Sequence, residues 1–291
     1  MTYNELYRQG ENRLQASGIP DAGLEARLLL EYACGISRSR LLAHGEETVG
    51  EAGQEAYREL VARRATRIPL QLLTGVQEFM GLEFAVDGHV LIPRFDTEVL
   101  VEEVLKNLHD GMCILDMCTG SGCILISLLH YSNGCRGVGV DISPQALELA
   151  EKNAGRLLKE KGRCGEGGQN CGVTFLRSDL FEDVTGKFDI IVSNPPYIRS
   201  SEIGTLMPEV RDYEPRTALD GGEDGLFYYR GIVENGRRFL FGGGKLFFEI
   251  GCDQAEAVAG LMEEAGFLDI NVVKDYAGLD RVVYGTLGFG S

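Results

Sequence analysis

From Phe95 onward, short apolar runs alternate with longer segments whose apolar residues recur at helical spacing, and this restricts the chain to an α/β architecture. The runs fall at Cys113–Met117, 137–141, 173–176, Phe188–Ser193, 245–250, 270–273 and 281–286. Helical patterns occupy Cys123–Tyr131, 144–161 and 254–265, with Ala146, Leu147 and Leu149 on the inner side of the second. Because the strands are apolar along their whole length, we expect a parallel sheet covered on both faces. The polar, Gly-rich stretch 162–172 reads as a mobile surface loop.

Residues 1–75 have a different pattern, a string of short helices. Asp21 is placed to cap a segment carrying Leu24, Leu28 and Leu29, and Gly35 to stop it. Ser37 and Gly45 bracket a second piece. Tyr57, Leu60, Val61 and Ala65 form an apolar stripe ending before Pro69. Between 76 and 92 the period shortens: Leu82, Phe84 and Val86 alternate with Glu83 and Ala85, and Asp87-Gly88 signals a turn. The expected organisation is a helical domain over 1–75, a linking β-hairpin over 76–93 and an α/β domain over 94–291.

At 291 residues the chain can bury a core without staples. No apolar run approaches the roughly 18 residues of a membrane span, and no basic-then-apolar leader opens the sequence. The 28 basic and 44 acidic residues leave a net charge of −16, which argues against a long nucleic-acid partner held by its phosphates. The eight cysteines form no C-x-x-C pair and read as reduced, structural thiols of a cytoplasmic protein; the four scattered histidines suggest no metal site.

Asp116-Met117-Cys118-Thr119-Gly120-Ser121-Gly122 lies where the first of these strands turns into a helix. Glycine there lets backbone approach a ligand, and the helix N-terminus offers free N–H groups. Asp141 ends the next strand about 20 residues on, where a carboxylate can accept from two ribose hydroxyls. Cys123 and Ile124 follow where a dinucleotide fingerprint would place its later residues, so there is no clean G-x-G-x-x-G. A compact turn with an acid at its head fits a nucleoside ligand without a pyrophosphate.

The most informative stretch is Phe188–Ser193 followed by Asn194-Pro195-Pro196-Tyr197, an apolar strand delivering four unusual residues to its carboxyl end. An amide nitrogen is a poor nucleophile because its lone pair is delocalised. The Asn194 side-chain oxygen and the Pro195 carbonyl can each accept one N–H of an –NH2 group. As that nitrogen pyramidalises its hydrogens become more acidic, so both bonds strengthen in the transition state. Pro195 and Pro196 hold the backbone and remove competing N–H groups, and Tyr197 can stack on a flat substrate group.

These segments resemble those of the peptide chain release factor N5-glutamine methyltransferases. Asn194-Pro195-Pro196-Tyr197 matches the family's catalytic motif, which adenine N6-methyltransferases share. More specific are Pro69-Leu70-Gln71 with Gly75, Leu91-Ile92-Pro93-Arg94-Phe95-Asp96-Thr97-Glu98, Tyr213-Glu214-Pro215, and Ala218-Leu219 with Gly221-Gly222-Glu223-Asp224-Gly225-Leu226. Leu72 and Phe95 depart from a usual tyrosine and proline, and Cys118 from a usual glycine, where we expect little effect. The resemblance implies a Rossmann-like class I methyltransferase domain using S-adenosylmethionine and leaving S-adenosylhomocysteine. It assigns the cofactor to Cys118, Thr119, Gly120, Ser121, Gly122, Asp141, Asp179, Leu180 and Asn194. Leu180 stands at an often aromatic position, so adenine would rest on an aliphatic side chain, and Asp179 can accept from its amino group. The implied substrate is the glutamine of the Gly-Gly-Gln motif in class 1 release factors, entering between the two domains. The alternative is an N6-adenine DNA or RNA methyltransferase using the same Asn194 chemistry; a second rival is a catalytically idle cofactor-binding protein. Arg94 reads first as a structural tie, and Glu98 and Glu249 as acids near the site or in solvent. Gly167-Gly168-Gln169 spells the substrate tripeptide within the chain itself, and we take it as chance in a glycine-rich sequence.

Overall fold

Two compact units make up the chain in a computed structural model that describes residues 1–160 and 172–289. The loop expected over 162–172, with Gly167-Gly168-Gln169, Cys164 and Cys171, lies outside the described residues except for Gly172.

The first unit comprises Met1–Val76 and takes in Met207–Tyr213. It contains α1 (Tyr3–Ala16), α2 (Ala22–Cys34), α3 (Arg38–Ala43), α4 (Glu51–Ala65) and α5 (Leu70–Thr74). Thr2 and Glu5 close a reciprocal capping box on α1, and Gly35 ends α2 in the left-handed conformation. Asp21 precedes α2 as expected but makes no side-chain cap bond. The buried stripe of α2 is Ala22, Ala26, Leu29 and Leu30; Leu24 falls on the outer face, 49% exposed, because helical spacing alone leaves the buried face undetermined by one position. Tyr57 and Val61 of α4 enter the same core.

The second unit runs from Gln77 to Leu206 and from Glu214 onward. A short hairpin, β1 (Val76–Phe79) and β2 (Leu82–Ala85), turns at Met80-Gly81. It is followed by α6 (Phe95–Asn107), β3 (Cys113–Met117), α7 (Cys123–Tyr131), β4 (Arg136–Asp141), α8 (Pro144–Glu160), β5 (Val173–Arg177) and β6 (Phe188–Ser193). After the short α9 (Pro208–Arg211) come α10 (Phe227–Gly236), β7 (Leu240–Glu249), α11 (Ala255–Glu264), β8 (Phe267–Lys274) and β9 (Asp280–Leu287). The seven strands order as β5-β4-β3-β6-β7-β9-β8. The sheet is mixed, not wholly parallel: β9 runs antiparallel to both β7 and β8. The link from β8 to β9 is short, and only antiparallel neighbours can be joined that way. α10, absent from the sequence reading, carries Tyr229, Ile232 and Val233 into the core. Residues 123–129 of α7, apolar but for Ser127, are buried all round, as a helix without a polar face must be.

Successive strands leave β3 in one direction through β4 and β5, while β6 pairs on its other side. The order therefore reverses between β3 and β6, and ligands of open α/β sheets bind outside the carboxyl ends at such a point.

Candidate active site

Met117 and Ser193 are register partners at the ends of β3 and β6, and the Ser193 hydroxyl donates to the Met117 carbonyl at 2.6 Å. The two segments singled out in the sequence thus leave the sheet side by side. They open into a cleft of the second unit lined by Cys118, Thr119, Gly120, Ser121, Asp141, Asp179, Leu180, Asn194 and Pro196. Gly122, Pro195 and Tyr197 do not line it.

The turn after β3 leaves room for a ligand. Gly120 and Gly122 have φ of +54° and +79°, and the space where a Gly120 side chain would stand is open. Gly120 donates its N–H to Asp141 Oδ2 and Ser143 donates to Oδ1, both at 2.9 Å. Each oxygen of that carboxylate keeps acceptor capacity for ribose hydroxyls. Behind the turn Asp116 is fully buried, accepting from Thr119 Oγ1 at 2.6 Å, while its Oδ1 has no partner. Asp141 and Asp179 face the cleft, a charge suited to a cationic ligand, and Ile142, Leu180 and Tyr228 supply apolar surface. This donor and acceptor set fits S-adenosylmethionine. Cys118 has φ +62°, in the region that favours glycine, so the exchange expected to matter little carries backbone strain of about 1–3 kcal/mol.

Asn194 donates from Nδ2 to Thr97 Oγ1 of α6 at 3.3 Å. Tyr197 turns away from the cleft, packs in the core and donates its hydroxyl to Glu249 Oε1 at 3.3 Å. It therefore stands outside the cleft lining, where a stacking platform was expected, with its hydroxyl on a buried acceptor of β7. Glu249 is not a solvated acid: it is 2% exposed, and its Oε2 lacks a hydrogen-bond partner. The loop is clamped by the buried Gln254, whose Nε2 donates to the carbonyls of Tyr197 (3.1 Å) and Gly225 (3.3 Å). Ile198 donates its N–H to the Leu219 carbonyl and accepts the Gly221 N–H. A Cβ at Gly221 would stand 2.7 Å from the Tyr197 Cα and 2.8 Å from the Pro196 carbonyl oxygen. We expect Gly221→Ala to displace the Asn194 loop and lower kcat by about 10–100-fold, with cofactor affinity held, as titration calorimetry beside steady-state kinetics would show.

Arg94 lines the cleft but is tied to Glu214 at 2.5 Å, whose carboxylate is buried. Burial raises the Glu214 pKa against the opposing pull of Arg94. This ties the Pro93-Arg94 and Glu214-Pro215 segments together, in keeping with the structural reading. Glu98 stands outside the cleft lining and accepts the Met80 N–H of the hairpin at 2.6 Å. Thr97, Gln254 and Gly221 went unassigned from sequence, since their roles come from contacts across long separations.

Burial pushes Asp116 and Glu249 up to about 7. The Thr119 bond to Asp116 and the Thr97 hydroxyl near Glu249 oppose the shift without cancelling it. Ionising either group is harder folded than unfolded, so the stability each contributes is full below about pH 4 and is lost as pH rises through 7. The denaturant midpoint is therefore expected to fall between about pH 5.5 and 7.5, and Glu249→Gln to flatten that slope.

Family models match two stretches: the PrmC N-terminal domain over residues 5–75 and the methyltransferase small domain over residues 94–209. The release factor glutamine methyltransferase of Geobacter sulfurreducens is 44% identical over 94% of this chain and 93% of its own. That of Moorella thermoacetica is 43% identical over 97% of each. The chain belongs to the release factor glutamine methyltransferase family. A methyltransferase crystal structure from Pyrococcus furiosus, 17% identical, covers 72% of this chain and 90% of its own with a TM-score of 0.52, a likeness of fold. As a member of a methyltransferase family the protein uses S-adenosylmethionine. Among the described residues no helix is long and apolar enough to cross a membrane, and no cluster of acids, histidines and cysteines is arranged around a metal.

Proposed function

We infer that the protein transfers a methyl group from S-adenosylmethionine to the side-chain amide nitrogen, N5, of the glutamine in the Gly-Gly-Gln motif of class 1 release factors. The observation that carries this reading is the convergence of the β3 turn, Asp141 and Asn194 on one cleft, in a chain that shares over two-fifths of its residues with relatives of that name.

Bound in the cleft, S-adenosylmethionine supplies an electrophilic methyl on a sulfonium. Asp141 accepts from the ribose hydroxyls, and its carboxylate is preset by the Gly120 and Ser143 N–H groups. Asp179 accepts from the adenine amino group, and Leu180 and Ile142 give the base an apolar seat. The backbone of Cys118, Thr119, Gly120, Ser121 and Gly122 takes the remaining part of the molecule.

Asn194 Oδ1 and the Pro195 carbonyl hold the two N–H groups of the substrate amide. Both bonds strengthen as the nitrogen lone pair leaves conjugation, so they favour the transition state over the bound amide. Pro196 keeps the loop rigid, and Tyr197 supports it from below. No strong base is needed, because the proton departs after the nitrogen has become tetrahedral. The acceptor's identity makes a cytoplasmic location the natural one.

The test is transfer of labelled methyl to purified release factor, to the factor with its tripeptide glutamine changed to alanine, and to a mixed nucleic-acid pool. Label confined to the intact factor is expected. Label in nucleic acid would move the reading to an adenine methyltransferase.

A further inference from the structure

Asn194 can serve an amide substrate only in one of its two flipped orientations. With Oδ1 toward the cleft it accepts a substrate N–H; with Nδ2 there it presents a donor to a donor. A side-chain amide is nearly symmetric in shape, so packing does not choose between them and a hydrogen-bond partner must.

That partner is Thr97, which receives the Nδ2 proton at 3.3 Å and is itself only 2% exposed. A threonine hydroxyl can accept from one neighbour while donating to another. Behind it stands Glu249, fully enclosed, with Tyr197 donating to Oε1 and Oε2 left without a hydrogen-bond partner. The buried Oε2 is an acceptor open to the Thr97 hydroxyl, which favours the ionised form of that carboxylate. An ionised carboxylate accepts and never donates, so it draws the Thr97 proton toward itself and leaves the Thr97 oxygen facing Asn194 as an acceptor.

We propose that Thr97 and Glu249 are positioning residues that hold the Asn194 amide with its oxygen toward the substrate nitrogen. The inference rests on the methyl-transfer reading above. It adds that a buried acid which never touches substrate sets the direction of the acceptor that does.

Protonating Glu249 turns it into a donor and releases Thr97 to point its proton at Asn194. The groups facing Glu249 are Thr97 and Asp96 from α6, Tyr197 after β6, Tyr229 from α10, Cys123 at the head of α7 and Arg281 from β9. Arg281 opposes protonation and Asp96 favours it, while burial is the largest influence and raises the pKa. Activity is then expected to rise with pH through about 7, as stability falls.

The experiment compares wild type with Thr97→Val, Thr97→Ser and Glu249→Gln. Valine keeps the shape and removes the hydroxyl; serine restores it. Glutamine gives Thr97 a neighbour able to donate at any pH. We expect kcat to fall about 10–100-fold in T97V and E249Q, with cofactor affinity and KM for release factor within about threefold, and T97S to recover most of the loss. E249Q should also lose the rise through pH 7. A T97V enzyme with wild-type kcat, or a T97S enzyme as poor as T97V, overturns the proposal. The Asn194 side-chain 15N amide signals, assigned by their absence in Asn194→Ala, provide a readout independent of turnover. They should shift on T97V and titrate with Glu249 in wild type, and signals indifferent to both would refute the proposal even if no release factor were methylated.

Discussion

Replacing Asn194 by alanine is expected to reduce methyl transfer by about 10²–10³-fold while cofactor affinity changes only a few-fold. The magnitude is that of removing one pre-aligned group whose bond strengthens in the transition state. Asn194 occupies that place because β6 delivers it to the cleft floor beside the β3 turn, with Ser193 pinned to the Met117 carbonyl just before it. On the proposed reading the Pro195 carbonyl remains as a second acceptor, so activity is not expected to vanish. Single-turnover rates at saturating cofactor measure the loss, and calorimetry separates it from binding. A loss under about tenfold would mean that the amide is held elsewhere and that the role given to the β6 loop is wrong.

The second large effect lies in the helical unit. Arg64 of α4 is 5% exposed in its side chain and bridges Glu25 of α2 to Glu209, themselves 15% and 12% exposed. It contacts Glu25 through Nε and, at 3.1 Å, through a terminal nitrogen, and both terminal nitrogens reach Glu209 at 3.2 Å. Burial disfavours the guanidinium charge, but the bonds to the two carboxylates outweigh it and raise its pKa. Arg64→Ala would leave two screened carboxylates facing one another, with Arg67 at 2.9 Å still serving Glu209 alone. Breaking a buried pair in this way costs about 3–5 kcal/mol. The bridge lies within the helical unit, so amide exchange in α2 and α4 is the proper measure. Glu25→Gln should relieve part of the loss in the double variant, since it removes one of the stranded charges.

Local pattern located the strands that carry the site. Cys113–Met117 and Phe188–Ser193 stand at their expected bounds because each is a continuous apolar run with a polar or glycine-rich break after it. β7 begins earlier than its apolar run suggests: Gly242-Gly243-Gly244 reads as a break, but pairing of Leu240 with Phe188 carries the strand through it. α10 is not legible in the sequence because its glycines and aromatics are poor helix formers, and core burial of Tyr229 and Ile232 overrides propensity. The direction of β9 was likewise hidden, since an apolar strand reads the same run either way.

For this protein the order of residues alone determined the α/β class, the glycine turn, the acid at the end of β4 and the Asn-Pro-Pro-Tyr segment, because each is written in neighbours along the chain. Tertiary structure decided that Tyr197 bonds Glu249 and does not line the cleft, that Glu249 is buried and Glu98 holds a hairpin, and that Met207–Tyr213 joins the helical unit. Those outcomes depend on which groups meet across 18 to 145 positions of sequence, as in Met80 with Glu98 and Arg64 with Glu209. A side chain's burial and partners are properties of such meetings, and only the packed fold brings them about.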